Sequence, residues 1–387
     1  MTVGEPVAVL TDHLRRIEGP WRVGFDLGPE ERLLVDCPAG TVTTRRAGDC
    51  TDCDVTVPRR ELFALLAGDL DPRAAFMYQM ATVTGPMRPA MELLDALAGN
   101  GVTHQPTLAR LPRPTTDRGT AQGDLDQAGY CIVADALSPE LLERLRRRVD
   151  QQAAGERTAG RAFFEGARAD GSDGRPNQRL HALVNKGAVF TELLDHPLVD
   201  EFFPPRLGEH SVIASYFCII AGPGGTPMAL HTDQIPVMPV IRDFAVGLNL
   251  VFFLDDFTDA NGATRVFPGS HLDDNRVAPA DIFSIDGTVA AEGPAGSALL
   301  FDSRLWHGTG PNRTGRARRG VFLYFVRSWM RTTENWALTV HPSVFDRLSD
   351  RHRAMFGYRQ TGGLGRVQGS AEGSVPTCDP DSLILEL

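Results

Sequence analysis

Four apolar runs in the second half of the chain decide the fold: SVIASYFCIIAG (211–222), VGLNLVFFLDDF (246–257), SALLFDSRLWHG (297–308) and RGVFLYFVRSW (319–329). Each has strand length, is rich in Val, Ile, Phe and Tyr, and is bounded by Gly, Pro, Asn and Asp turn residues. Strands in succession with this punctuation favour a double-sheet jelly roll over a parallel sheet. Upstream, GYCIVADALSPELLERLRRRV (129–149) reads as a short buried strand followed by a helix. Ser138 can cap that helix and Pro139 sits at its first position, with Leu141, Leu142, Leu145 and Val149 forming its apolar face.

Working outward, the first hundred residues read differently. WRVGFDL (21–27), ERLLVDC (31–37) and CDVTVP (53–58) alternate as strands do. Pro58 opens a helix carrying Leu62, Phe63, Leu65 and Leu66, which Gly68 can close, and Met91, Leu94 and Leu97 share one face of a further helix. The expected organisation is an α+β domain over 1–99 and a Pro-, Thr- and Gly-rich linker over 100–123. A double-stranded β-helix domain with flanking helices follows over 124–365, then a tail over 366–387.

At 387 residues, 42% apolar and 23% charged, the composition is that of a globular protein. A net charge of -10 argues against a nucleic-acid partner, because phosphate binding depends on many cations along one surface. No apolar run is long enough for a membrane span, and the N-terminus has no signal-peptide pattern, so the default expectation is a cytoplasmic protein. Lys186 is the only lysine, an arginine bias that resembles a GC-rich bacterial genome and says nothing about mechanism. Six scattered cysteines suit reduced thiols. The CTDC at 50–53 lacks the second pair that a zinc site needs.

The chemistry concentrates in MALHTDQ (228–234). His231 and Asp233 are two apart, so on an extended segment their side chains share a face. His307, at the end of SALLFDSRLWH, is placed to supply a third ligand. Two histidines and a carboxylate on one face of an octahedron suit iron(II) and oxygen chemistry. Zinc accepts the same set. An arginine beyond His307 decides between them, since a guanidinium holds a carboxylate through paired hydrogen bonds and would fix 2-oxoglutarate. Arg318 shares strand parity with Gly320, Phe322 and Tyr324, and Arg319 with Val321, Leu323 and Phe325; parity does not say which face points inward.

HTD, DDFTDANGATRVFPGSH (255–271) and DSRLWHGTGPN (302–312), with an arginine eleven residues after the histidine, resemble the phytanoyl-CoA dioxygenase family from about Gly129 to Tyr358. The resemblance implies iron(II) held by His231, Asp233 and His307, 2-oxoglutarate and O2 as co-substrates, Arg318 as anchor of the 2-oxoglutarate carboxylate, and Thr309 assisting that arginine. It implies a dioxygenase that releases succinate and CO2, with hydroxylation the usual outcome. Asp233 disfavours halogenation, which needs a small residue there. His271, in VFPGSH, is a rival third ligand but reads as part of a turn. WRVGFDL, ELFALLAGDLDPRAAFM (61–77) and ATVTGPM (81–87) resemble the sterol carrier protein family, which hints at a lipid-like or carrier-bound substrate or a secondary metabolite.

Around this site, Asn249 is a polar residue in an apolar strand, either a contact of 2-oxoglutarate or substrate or a satisfied core amide. Gln234, Ile235, Val237 and Met238 follow the ligand pair and are expected to wall the substrate cavity, as are Trp306 and Trp329. Arg175, Asn177 and Gln178 form a polar cluster that suggests a lid. Two alternatives stay open: the same iron site catalysing desaturation, cyclisation or epimerisation, and a non-catalytic lipid-binding carrier. Oligomeric state is not readable from the pattern.

Overall fold

The computed structural model describes residues 10–11, 20–28, 31–46, 49–66, 70, 75–76, 80–86, 89–90, 93–94, 108, 110–172, 174–234, 237, 241, 243–272 and 284–366. Near the N-terminus, β1 (Arg22–Gly28), β2 (Glu31–Asp36), β3 (Thr41–Thr44), β4 (Cys53–Thr56) and β5 (Thr82–Thr84) form a five-stranded sheet ordered β3-β2-β1-β4-β5. β1 runs antiparallel to β2 and parallel to β4. Helix α1 (Arg59–Leu66) follows Pro58 and buries Leu62, Leu65 and Leu66 in the same core as Val23, Phe25, Val35 and Val55. Leu94 belongs to this core as well. Gly68, Met91 and Leu97 lie outside the described residues.

Helix α2 (Arg118–Ala128) starts inside the stretch read as linker. Asp117 caps it, accepting from the Thr120 amide at 2.7 Å. Its buried side is small, Ala121, Leu125 and Ala128, and so leaves little apolar period to read. Gly129 ends the helix with φ +78°, donating to Leu125 O. The chain then enters β6 (Tyr130–Val133) and α3 (Pro139–Thr158), where Ser138 and Pro139 occupy the cap and first position as expected.

β7 (Phe163–Glu165), β8 (Asn177–Leu180), α4 (Ala188–Glu192) and α5 (Pro197–Leu207) precede the long strands. These are β9 (Val212–Ala221), β10 (Gly247–Phe253), β13 (Ala298–Asp302) and β15 (Arg318–Val326). With β6, β7 and β8 they form a seven-stranded sheet ordered β6-β13-β10-β15-β9-β8-β7. β12 (Val289–Ala290), β11 (Thr264–Val266) and β14 (His307–Thr309) form a smaller sheet in that order. The two-sheet arrangement is that of a jelly-roll domain.

Leu248, Leu250, Phe252, Val321, Leu323 and Phe325 join helical residues such as Leu145, Phe190 and Phe202 in one core. Val251, Phe253, Leu299, Phe301 and Phe322 share another with Val266 of the small sheet. The large sheet is thus covered on both faces, which is why its strands read as continuous apolar runs.

Candidate metal centre

Residues 228–231 extend the small sheet along β14. Met228 N donates to Thr309 O at 2.9 Å, and His231 and His307 exchange backbone hydrogen bonds at 2.8 and 2.9 Å. Two residues on, Asp233 N is fixed to Ser303 O at 2.8 Å. Alternation then turns His231 and Asp233 toward His307. Ligand atoms of the three side chains lie within 4.8 Å of one another. Asp233 Oδ1 is 3.9 Å from His231 Nε2, and Oδ2 is 3.7 Å from His307 Nε2.

Both imidazoles are oriented by their own backbone. His231 Nδ1 lies 3.0 Å from Ala229 O and His307 Nδ1 lies 2.9 Å from Leu305 O. A proton on each Nδ1 donates to that carbonyl and leaves the Nε2 lone pairs facing the carboxylate, the form in which histidine binds metal. Burial pulls His307 down to about 4, against the opposing pull of Asp233, which keeps the ring neutral. The donor set fits a divalent metal ion: two neutral nitrogens and a carboxylate gathered on one side.

Asn249 Nδ2 donates to Asp233 Oδ2 at 2.6 Å, so its amide is directed at the carboxylate rather than standing free to meet a co-substrate. Tyr324 covers the same turn, its hydroxyl 3.5 Å from Asp233 O. Around these groups the sheets enclose a cavity of about 630 Å³, lined by His231, Asp233, Asn249, His307 and Thr309 together with Phe217, Ile219, Phe301 and Phe322. That volume suits a small organic molecule.

Arg318 is on the side of β15 that carries Phe322 and Tyr324, which line the cavity; it is 1% exposed and does not itself line it. Its Nη2 donates to Gly262 O, and its guanidinium lies over the Phe257 ring at 4.1 Å. Nε and Nη1 are buried without a hydrogen-bond partner. Burial lowers its pKa to about 10. Such orphaned donors are what an incoming carboxylate would satisfy, so the Arg318 guanidinium suits an anion as the triad suits the metal. Arg319 points to the other face and is engaged by Asp255 at 2.7 Å and Asp150 at 2.8 Å.

Other expected residues fall elsewhere. Trp306 does not face the cavity: strand alternation sends it opposite to His307, into a buried cluster with Leu230 and Phe267, against which Phe76 packs. Gln234 is fully buried and does not line the cavity; its Oε1 accepts from Ile241 N at 3.2 Å. Val237 and Trp329 line the cavity. Ile235 and Met238 lie outside the described residues. His271 is remote from the triad, its Nε2 3.1 Å from Asp126 O. Asn177 and Gln178 are buried braces, not a lid: Asn177 Oδ1 accepts from Gly222 N and Gln178 Nε2 donates to Ala153 O. Cys53 is buried, which lifts its thiol to about 11, while Cys50 is exposed.

The reading of the sequence missed Arg179 and Tyr324, and it missed residues 330–333, which follow Trp329 around the cavity. Tyr324 was accessible through its parity with Arg318; the others carry no local signal. No described helix is long and apolar enough to cross a membrane.

Dioxygenase trt7 of Aspergillus terreus is 32% identical over 230 residues, 58% of this chain and 79% of that protein. Dioxygenase aneA of Aspergillus aculeatus is 32% identical over 222 residues, 55% of this chain and 73% of its own length. Both are fungal and lend no support to the bacterial origin suggested by arginine usage. The crystal structure of SnoK, a non-heme alpha ketoglutarate dependent carbocyclase from nogalamycin biosynthesis, aligns at TM-score 0.47 and 18% identity, over 61% of this chain and 94% of that one. The family model for phytanoyl-CoA dioxygenase matches residues 125–320, which contain the triad, Thr309 and Arg318. The chain therefore belongs to the phytanoyl-CoA dioxygenase family.

Proposed function

We propose that the chain is an iron(II)- and 2-oxoglutarate-dependent dioxygenase that hydroxylates a small, largely apolar substrate. His231, Asp233 and His307 would hold the metal, and Arg318, with Thr309 beside it, would take the distal carboxylate of 2-oxoglutarate. The observation that carries the reading is Arg318, a buried guanidinium with two unpartnered nitrogens on the face that carries the cavity. The metal triad by itself does not call for it, whereas a carboxylate co-substrate does. When bound, the metal and 2-oxoglutarate supply the oxygen-activating chemistry, releasing succinate and CO2.

The chain's own residues prepare the site. Backbone carbonyls orient both imidazoles, Asn249 holds the carboxylate, and the apolar inner faces of the sheets exclude water from the reacting centre. The five-stranded sheet with α1 supports a sterol carrier protein-like unit over 1–99, joined through a linker to an oxygenase unit whose helical entry begins at Arg118. Cytoplasmic residence belongs to the same reading.

The test is anaerobic addition of iron(II) and 2-oxoglutarate to the full chain. A visible charge-transfer band is expected. Its absence, after metal stripping and reloading as well, overturns the assignment. Product mass then separates outcomes: hydroxylation adds an oxygen atom, desaturation removes two hydrogens, and epimerisation changes nothing.

A further inference from the structure

β15 leaves the sheet at Val326, and residues 329–333 then form a strap that lines the cavity throughout its length. The strap is fixed at both ends. Arg327 donates from Nε to Ala245 O and from Nη2 to Arg206 O, both at 2.8 Å, and Glu334 N donates to Ala214 O at 2.9 Å. Its backbone is therefore held at the rim, with Met330 and Thr332 half-buried and Trp329, Arg331 and Thr333 exposed.

Two arginines reach this cavity, and they differ in what compensates them. Arg179 is paired with Glu165, its Nη2 2.8 Å from Oε1, and its guanidinium lies 4.5 Å over the Phe217 ring. Arg331 lines the cavity and makes no hydrogen bond or ion pair with any described residue. The described carboxylate lining the cavity is Asp233, which the metal would claim. In the loaded site, iron(II) and Arg318 are balanced by Asp233 and the two carboxylates of 2-oxoglutarate. Arg331 is then the uncompensated charge facing the chamber. Opposite it in character is an aromatic wall: Phe217 and Phe322 are stacked at 5.1 Å and 7°.

We infer that the cavity takes a substrate with an apolar body and one anionic group, a carboxylate or a phosphate, the body lying against Phe217 and Phe322 and the anion meeting Arg331. The inference rests on the reading of this cavity as the substrate chamber. An arginine that merely keeps the rim solvated would leave neutral and anionic bodies equal.

The experiment is calorimetric titration of the full chain with 2-naphthoate, 2-naphthyl phosphate and neutral 2-naphthylmethanol. It is run on metal-free protein and on protein loaded anaerobically with iron(II) and saturating 2-oxoglutarate. An anion is expected to bind about fivefold more tightly than the alcohol, the scale of one partly exposed ion pair. The preference should fade at high salt, vanish in Arg331→Gln and survive in Arg331→Lys. The two anionic probes distinguish carboxylate from phosphate. Equal binding of alcohol and anions, a preference that persists in Arg331→Gln, or no binding of any probe overturns the inference. The loaded titration, with 2-oxoglutarate on Arg318, measures the anion preference of Arg331, and the charge-transfer band of the same samples reports separately on the iron assignment.

Discussion

Asn249, in the middle of β10, donates its side-chain amide to Asp233 Oδ2 at 2.6 Å, tying the one carboxylate of the triad to the large sheet while both histidines sit on the small one. The metal centre is thus shared between the two sheets. A hydrogen bond to a ligating carboxylate fixes its orientation, and removing one such partner costs about 10–100-fold in metal affinity. Asn249→Ala should weaken iron(II) or cobalt(II) binding by that order in an anaerobic titration. Unchanged metal affinity with weakened 2-oxoglutarate binding would return Asn249 to the co-substrate role that its place in an apolar strand first suggested.

What could be read from residues alone follows from where alternation survives. His231 and Asp233 lie on a short segment with a polar interior face, so their spacing of two translated directly into convergence. β15 is buried on both faces, every residue from Arg318 to Val326 buried except half-buried Arg319, so no apolar–polar contrast marks its inner side and parity alone does not choose between Arg318 and Arg319. Trp306 was misread because proximity in sequence to His307 says nothing of face; adjacent strand residues point oppositely. Helix α2 carries little apolar period because its buried side is Ala121, Asp124, Leu125 and Ala128, with Leu125 the one large aliphatic side chain among them. Arg179 and residues 330–333 come to the cavity from distant parts of the chain, and only tertiary structure joins them.

Arg318 should separate stability from ligand binding. Burial without a full set of partners disfavours its charged form and lowers its pKa to about 10, so the buried guanidinium works against folding in the ligand-free chain. Arg318→Met removes that burden while filling similar space, so the ligand-free variant is expected to melt no lower than wild type. Addition of 2-oxoglutarate should raise the melting temperature of wild-type, metal-loaded protein and leave the variant unmoved, with metal affinity spared. A variant that keeps the 2-oxoglutarate shift would assign the anchor elsewhere.

Gly129 couples the end of α2 to the metal centre. A Cβ there would stand 2.6 Å from His271 Nδ1 and 2.7 Å from Leu305 Cδ1, at φ +78°. Leu305 supplies the carbonyl that orients His307, so the collision pushes on the ligand set as well as on the core. Gly129→Ala should cost about 2–4 kcal/mol by denaturant unfolding, from left-handed backbone strain plus overpacking. Metal affinity should fall with it. If stability drops while metal affinity holds, the Leu305 carbonyl tolerates displacement.

Arg319, next in sequence to Arg318, should behave in the opposite way. Burial alone would raise the Asp255 carboxyl, but the Arg319 hydrogen bonds and charge overcome it, and the group sits below its ordinary value. A carboxylate depressed in the folded state contributes stability that is present above its unfolded pKa of about 3.9 and is lost as pH falls through the folded value. Arg319→Met leaves Asp255 charged, half-buried and unpaired, at a cost of about 3 kcal/mol near neutral pH. Without its partner the Asp255 carboxyl is raised instead, so protonation relieves the strain and the deficit relative to wild type should shrink as pH drops below about 5. Urea unfolding of both proteins from pH 7 to pH 4 measures this directly. A deficit that stays constant across the range would mean that Arg319 acts through packing and not through its ion pair with Asp255.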